Sequence, residues 1–273
     1  MIITTWNIRG FNKPIKHSEV VHFLNENKVD LLGLLETRVK HTKAKKILRN
    51  NFRRYSVFCN YNKHSNGRIW ILWNPTTTKV DIIEEHSQVV HCRVQHLATW
   101  RTFSLSVVYG SNNAAKRKEL WESMVDFGKR VDAWAAMGDF NVVRYPSEKI
   151  SNTPPILPEM WDFNSCLQMS GLDDLSASGC DFTWYNKQEI STQVLSTLDR
   201  VLINDKWVHQ FSQTTAHFLS PGISDHSPAL VTFHDNDSPR KHFKFLNCWV
   251  DHPDFHQTVA ANWVTCQPGN SMF

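Results

Sequence analysis

The 273-residue chain has no Cys-x-x-Cys pair. Its six cysteines, Cys59, Cys92, Cys166, Cys180, Cys248 and Cys266, are scattered, with the closest two 14 positions apart. That spacing argues against a zinc knuckle and against a disulfide framework, and it fits a reducing compartment. The N-terminus, MIITTWNIRG, lacks a charged leader followed by a long apolar run, and nowhere do about 18 apolar residues follow one another. The expectation is a soluble intracellular protein with no membrane partner. No period of 20 to 50 residues repeats, which excludes solenoids and propellers. Charge of one sign is not in large excess: a net +4 permits a polyanionic partner without demanding one.

What is present suits a packed α+β protein. Hydrophobic residues at 41% and charged residues at 21% are ordinary for a globular chain, and eleven tryptophans favour a tight β-rich interior. Met1 to Trp6 reads as a buried strand ending in Asn7. A helix is expected from Ser18, a plausible N-cap, to Lys28, and a second buried strand from Val29 to Leu35 ending in Glu36. Lys40 to Arg54 is a basic helical stretch, with Lys43, Lys45, Lys46 and Arg49 either facing nucleic-acid phosphates or simply solvated. Tyr55 to Asn74 reads as a hairpin around Asn66-Gly67. Strands follow at Val89 to Val94 and Thr102 to Tyr109, then a helix from Ala114 to Arg130.

The apolar run from Trp134 then delivers Asp139 and Asn141, two apart and so expected on one face of a strand. Beyond it come a Pro-rich loop, a helix from Glu159 to Ser170, strands at Phe182 to Tyr185 and Thr197 to Ile203, a short helix at Lys206 to Phe211, and strands at Ala216 to Leu219 and Ala229 to Phe233. Ser224-Asp225-His226 lies between the last two. From Asp235 the chain turns polar and broken, and residues 235–273 read as a linker and a fragment. His252 and His256 are four apart, but Pro253 between them favours ordinary surface histidines over a metal pair.

Polar residues suited to phosphate or metal chemistry therefore recur at the ends of apolar runs: Asn7, Glu36, Tyr109, Asp139, Asn141, Asp199, Asp225 and His226. Each alone has a bland reading, as a turn-former, a core aromatic or a surface histidine. Eight in one relative position suggest strand ends converging on a cleft.

With WNIRG, LLGLLET, VYG, GDFN, LDR and SDHSPALV in this order, residues 1–234 resemble the endonuclease/exonuclease/phosphatase superfamily. The chain is most similar to the apurinic-type endonuclease domain that opens the polyprotein of LINE-type non-LTR retrotransposons, particularly plant ones. Thr183 in FTWYN and Ser224 fit that branch, and KHFKFLNCWVDHPDF resembles the stretch that precedes a reverse transcriptase there. The resemblance implies a deoxyribonuclease I-like four-layer α/β sandwich, with two packed mixed sheets flanked by helices.

It also implies a Mg²⁺ or Mn²⁺ ion held by Glu36 with the help of Asn7, and Asp225 as the residue that could complete a second metal position. Asp139 would orient or deprotonate water, Asn141 would donate to the scissile phosphate, and His226, held by Asp199, would stabilise charge, with Tyr109 touching the phosphate and Thr183 and Ser224 supporting neighbours. A His general base is the alternative assignment. The implied activity is nicking of one DNA strand in the nucleus to leave a 3′-hydroxyl for a reverse transcriptase domain. Two other readings remain open: a phosphatase for a small phosphoester, and an inactive DNA-binding remnant.

Overall fold

The opening strand, β1 (Ile2–Asn7), has apolar or β-branched residues at both parities, and only Ile2 of its six is even partly exposed. It is described here, with residues 1–189, 192–234, 250 and 252–263, in a computed structural model. The chain divides into two units, Met1–Pro239 and Arg240–Phe273. In the first, α1 (Pro14–Glu26) begins at Pro14, not at Ser18 as the sequence suggested. Proline at the first helical position has its φ preset and no N–H to lose, so it starts the helix four residues early. Ser18 is interior, its hydroxyl 3.5 Å from the Pro14 carbonyl.

Next come β2 (Leu31–Leu35), α2 (His41–Asn51), and the expected hairpin of β3 (Ser56–Cys59) and β4 (Ile69–Trp73). A strand that the sequence reading passed over, β5 (Thr78–Glu85), pairs with β6 (Val89–His96). It forms the sheet edge, and Lys79 and Asp81 face solvent, which weakens its apolar signal. Then follow β7 (Thr102–Tyr109), α3 (Ala114–Gly128) capped by Asn113, and β8 (Trp134–Asp139). Short pieces come next: β9 (Lys149–Ile150), α4 (Leu157–Ser170), β10 (Leu172–Asp174), β11 (Ala177–Gly179), β12 (Trp184–Tyr185) and β13 (Leu195–Ser196). The unit continues with β14 (Asp199–Asn204), α5 (Asp205–Gln210), β15 (Thr214–Phe218) and β16 (Ala229–Phe233).

Two mixed sheets result. One has the order β11-β15-β16-β1-β2-β4-β3 and the other β10-β14-β8-β7-β6-β5, with a small third sheet β12-β13-β9. Their inner faces share a core of residues such as Ile3, Leu35, Ile71, Val107, Met137 and Val201. Val20 and Leu24 of α1 and Ala44 of α2 cover the outer face of the first sheet. Leu120, Met124 and Phe127 of α3 and Phe163 of α4 cover that of the second. The four layers expected from the sequence are present. No helix among the described residues is long and apolar enough to cross a membrane.

In the second unit, α6 (Phe255–Trp263) carries His256 while His252 precedes it, so the two do not share a helical face. The expected boundary at 234/235 lies next to residues outside those described, as do Cys248 and Cys266. Cys59, Cys92, Cys166 and Cys180 are free thiols.

Two glycines fix how closely the layers approach. A Cβ on Gly33 would sit 2.7 Å from Val107 Cγ1 and 2.9 Å from Thr5 Cγ2, so a bare backbone is required where β2 faces β7. Gly138 has φ +136°, and a Cβ there would meet the Val108 carbonyl oxygen at 2.1 Å. Gly138→Ala should therefore combine backbone strain with overpacking against an immovable neighbour, each costing about 1–3 kcal/mol. Urea denaturation should show a midpoint well below that of the parent; a parent-like midpoint would contradict this account of the β7–β8 contact.

Candidate active site

Side chains two apart on a strand share a face, so each inward row that builds the central core continues to the strand's end. In β7, Phe103, Leu105 and Val107 lead to Tyr109; in β8, Ala135 and Met137 lead to Asp139. In β14, Ile203 and Val201 lead back to Asp199, and in β1 Ile3 leads to Asn7. Register aligns these ends, since Asp139 pairs with Tyr109 on one side and Asp199 on the other. The site is the polar mouth of the inter-sheet core. Its central residues are almost fully enclosed: Asn7 is 0%, Asp139 1%, Asp199 3%, His226 4% and Glu36 6% exposed.

Buried polar groups need partners, and here they have them. Asn7 Nδ2 donates to Asp139 Oδ2 at 2.8 Å across the two sheets. The Asn141 backbone N–H donates to Asp139 Oδ1 at 2.9 Å. His226 Nδ1 lies 2.8 Å from Asp199 Oδ2, and its Nε2 lies 3.8 Å from Asp139 Oδ2. Thr183 Oγ1 accepts the backbone N–H groups of Leu198 and Asp199, and Ser224 Oγ donates to the Asn7 carbonyl at 2.6 Å. Both residues expected to support neighbours sit directly behind the cleft.

Burial disfavours the His226 imidazolium, but the Asp199 and Asp139 carboxylates outweigh it and push His226 up to about 9. Burial pushes the Asp139 carboxyl up, opposed by His226. The phenol of Tyr109 is likewise pushed up by burial, then by Glu36 and Asp139.

Two placements differ from simple strand geometry. Strict alternation after Leu35 would send Glu36 to the outer face, but its backbone is left-handed, φ 52°, and its side chain lines the cleft. Asn141 is not on the β8 face; it follows the strand, also with φ 52°, and turns back. Its amide hydrogens serve the Gly110 carbonyl at 2.7 Å and Asp139 Oδ2 at 3.2 Å, which aims Asp139 instead of facing a ligand. Asp225 is engaged by the Arg9 guanidinium and, at 3.1 Å, by Trp184 Nε1; burial works against its carboxylate, but these partners hold its pKa below the usual range.

The cleft has a volume of about 250 Å³, lined by Glu36, Tyr109, Asp139, Asn141 and His226 together with Arg9, Arg38, Asn112, Trp184 and Leu198. The sequence reading had missed the second group. Arg9 and Arg38 each stand two residues past a site residue, a spacing that could have flagged them; Arg38 pairs with Glu36. Lys43, Lys45, Lys46 and Arg49 are exposed on α2, away from this lining. Because β3 runs parallel to β2, α2 returns the chain toward the opposite sheet edge and carries Arg49 away from Glu36.

The donor set suits a hard divalent cation: four carboxylates and the Asn7 carboxamide against Arg9, Arg38 and His226, with no thiolate in the cleft. Ligand atoms of Asp139, Asp199 and His226 also lie within 4.8 Å of one another.

Solved structures share the fold. The AP endonuclease LMAP of Leishmania major is 14% identical, over 86% of this chain and 88% of that one, with a TM-score of 0.66. The 3′ phosphatase NExo from Neisseria, bound to a product DNA hairpin, is 16% identical over 86% and 100%, with a TM-score of 0.64. The endonuclease domain of TRAS1, a telomere-specific non-LTR retrotransposon, is 13% identical over 86% and 99%, with a TM-score of 0.61. No curated protein matches the chain significantly. At such identities the structures establish architecture alone. The family model, by contrast, aligns from the opening strand to the histidine of the cleft, residues 4–226, and on that match the chain belongs to the endonuclease/exonuclease/phosphatase family, whose members are phosphoester hydrolases.

Proposed function

We propose that the protein is a divalent-metal-dependent DNA endonuclease that nicks one strand and leaves a 3′-hydroxyl. The observation that carries this reading is the hydrogen-bonded chain Asn7–Asp139 and Asp199–His226, buried at the mouth of the core and facing Glu36 across the cleft. It is supported by the fold shared with an AP endonuclease and with a retrotransposon endonuclease domain. The order of the motifs, and the retroelement-like tail after residue 234, suggest that the domain belongs to a longer polyprotein with a reverse transcriptase.

Hydrolysis brings an anionic nucleophile to an anionic phosphorus, so charge must be neutralised and water oriented. Glu36 and Asn7, with Asp225 beside them, would hold Mg²⁺ or Mn²⁺, which when bound neutralises phosphate charge and orients its oxygens. Asp139 is held by three donors with its carboxylate at the cleft, and it takes the proton of the attacking water. Its raised pKa makes it a better base than an exposed aspartate. The water oxygen bonds to phosphorus as the P–O3′ bond breaks, and the 3′ oxygen collects a proton to become the 3′-hydroxyl.

Asp199 fixes His226 with Nδ1 protonated, which leaves Nε2 to face the cleft. As an imidazolium His226 donates to a phosphate oxygen and stabilises the added charge. Asn141 fixes the aim of Asp139, and Tyr109 offers a neutral hydroxyl to the phosphate. The 3′ phosphatase that shares the fold keeps a terminal phosphoester as the second reading.

Supercoiled plasmid with Mg²⁺ should convert to open circle, with EDTA abolishing the reaction and Asp139→Ala reducing it by about 10² or more. Release of inorganic phosphate from phosphoesters without nicking would shift the reading to a phosphatase; salt-dependent DNA binding with no cleavage would indicate a remnant.

A second expectation concerns pH. The folded pKa of His226 lies above its unfolded value near 6.5. Its contribution to stability is therefore fully present below about 6.5 and is lost as pH rises through about 9. In metal-free buffer the melting temperature should fall across that window, and Asp199→Asn should move the fall to lower pH. An unchanged profile in Asp199→Asn would refute the assigned Asp199–His226 coupling.

A further inference from the structure

Two guanidiniums line the cleft and are neutralised within the protein, and a third adjoins it against Tyr109. Arg9 pairs with Asp225 and Arg38 with Glu36. The third, Arg68, follows the Asn66-Gly67 turn and immediately precedes β4. Its Nη1 lies 3.4 Å from the Tyr109 hydroxyl, its guanidinium carbon sits 5.3 Å from the Tyr109 ring centroid, and it forms no ion pair among the described residues. Its Nε is buried without a hydrogen-bond partner.

A guanidinium does not lose its proton in a protein, so this group carries a full charge against an aromatic ring with donor capacity unused. Tyr109 does not neutralise it: burial and the nearby Glu36 and Asp139 charges keep the phenol protonated. The backbone of Arg68 is fixed to the segment that carries Glu36. Thr37 Oγ1 donates to the Gly67 carbonyl, the Thr37 N–H donates to the Arg68 carbonyl at 3.5 Å, and the Ile69 N–H donates to Asn60 Oδ1 at 2.9 Å. Arg68 is thus a positioned, uncompensated cation on the far side of the tyrosine that lines the cleft.

We propose that Arg68 receives the phosphate adjacent to the one being hydrolysed, so that Tyr109 and Arg68 form a second phosphate subsite selecting polynucleotides over single phosphoesters. The planar fork suits bidentate contact with a phosphate, and the phenol hydroxyl stands where it can serve either group. The inference rests on the nuclease reading, because a substrate with one phosphate has nothing to place there. Arg68 would bind the substrate and stands outside the reacting atoms.

The test uses the full chain with two substrates: a duplex oligonucleotide, and bis(p-nitrophenyl) phosphate, a diester with a single phosphate. With Mg²⁺, Arg68→Gln should lower kcat/KM on DNA about tenfold, chiefly through KM, and change hydrolysis of the small diester less than twofold. In EDTA, fluorescence anisotropy across KCl concentrations should show the slope of log K against log salt reduced by about 0.9. Arg68→Lys, which keeps the charge, should restore that slope and also serves if the glutamine variant folds poorly. Equal losses on both substrates, an unchanged salt slope in Arg68→Gln, or a lost slope in Arg68→Lys would overturn the proposal while leaving the nuclease reading intact. A parent protein that hydrolyses the small diester but never cuts DNA would remove the nuclease reading, and this inference with it.

Discussion

A carboxylate buried at the end of a hydrophobic core costs several kcal/mol unless donors surround it, and Asp139 is 1% exposed. The contacts that meet this demand also assemble the cleft. Asn7 comes from the other sheet, Asn141 from the turn after β8, and His226 from the loop between β15 and β16. Each donor brings a further partner with it: His226 fixes Asp199, Asp199 is anchored on Thr183, and the Asn7 carbonyl holds Ser224. Removing Asp139 would therefore leave donors from three parts of the chain facing one another.

The same economy governs the backbone. Arg9, Glu36, Arg38 and Asn141 all have φ between 45° and 52°, a region that non-glycine residues enter at a cost. The surroundings hold these bends in place: the Glu36 carbonyl accepts the Gly10 N–H at 2.8 Å, and Thr37 is tied to the Gly67 carbonyl. Residues held in strained conformations concentrate where side chains must leave the regular pattern of a strand. Here the pattern would have pointed Glu36 at the helices. The bend points it at the cleft.

Charge is distributed with similar care. Arg38 and Arg9 neutralise Glu36 and Asp225, whereas Asp139 and Asp199 share a single imidazole. The outer pairs are guanidinium pairs with one partner about half exposed, and so exchangeable with a metal ion or a phosphate. The inner group is buried but opens on the cleft through Asp139 and His226, and it serves proton placement.

Much of this was legible in the sequence because strand periodicity is local. Apolar runs ending in Asn7, Glu36, Tyr109 and Asp139 marked both the strands and the edge that carries the site, and the motif order led to the family and its four layers. Legibility failed where the outcome depended on contacts distant in the chain. Asp81 and Lys79 hid an edge strand, Pro14 moved a helix start, and Arg9, Arg38 and Arg68 carried no strand-end signal of a site. Asn7 and Asp139 are separated by 132 positions, and no pattern in the chain states that they hydrogen-bond. Which residues stand at strand ends is written locally in the chain, because alternation and apolar content act over a few residues. Which of them face one another is settled in the folded molecule, since sheet register and left-handed turns are set by packing two sheets on one core.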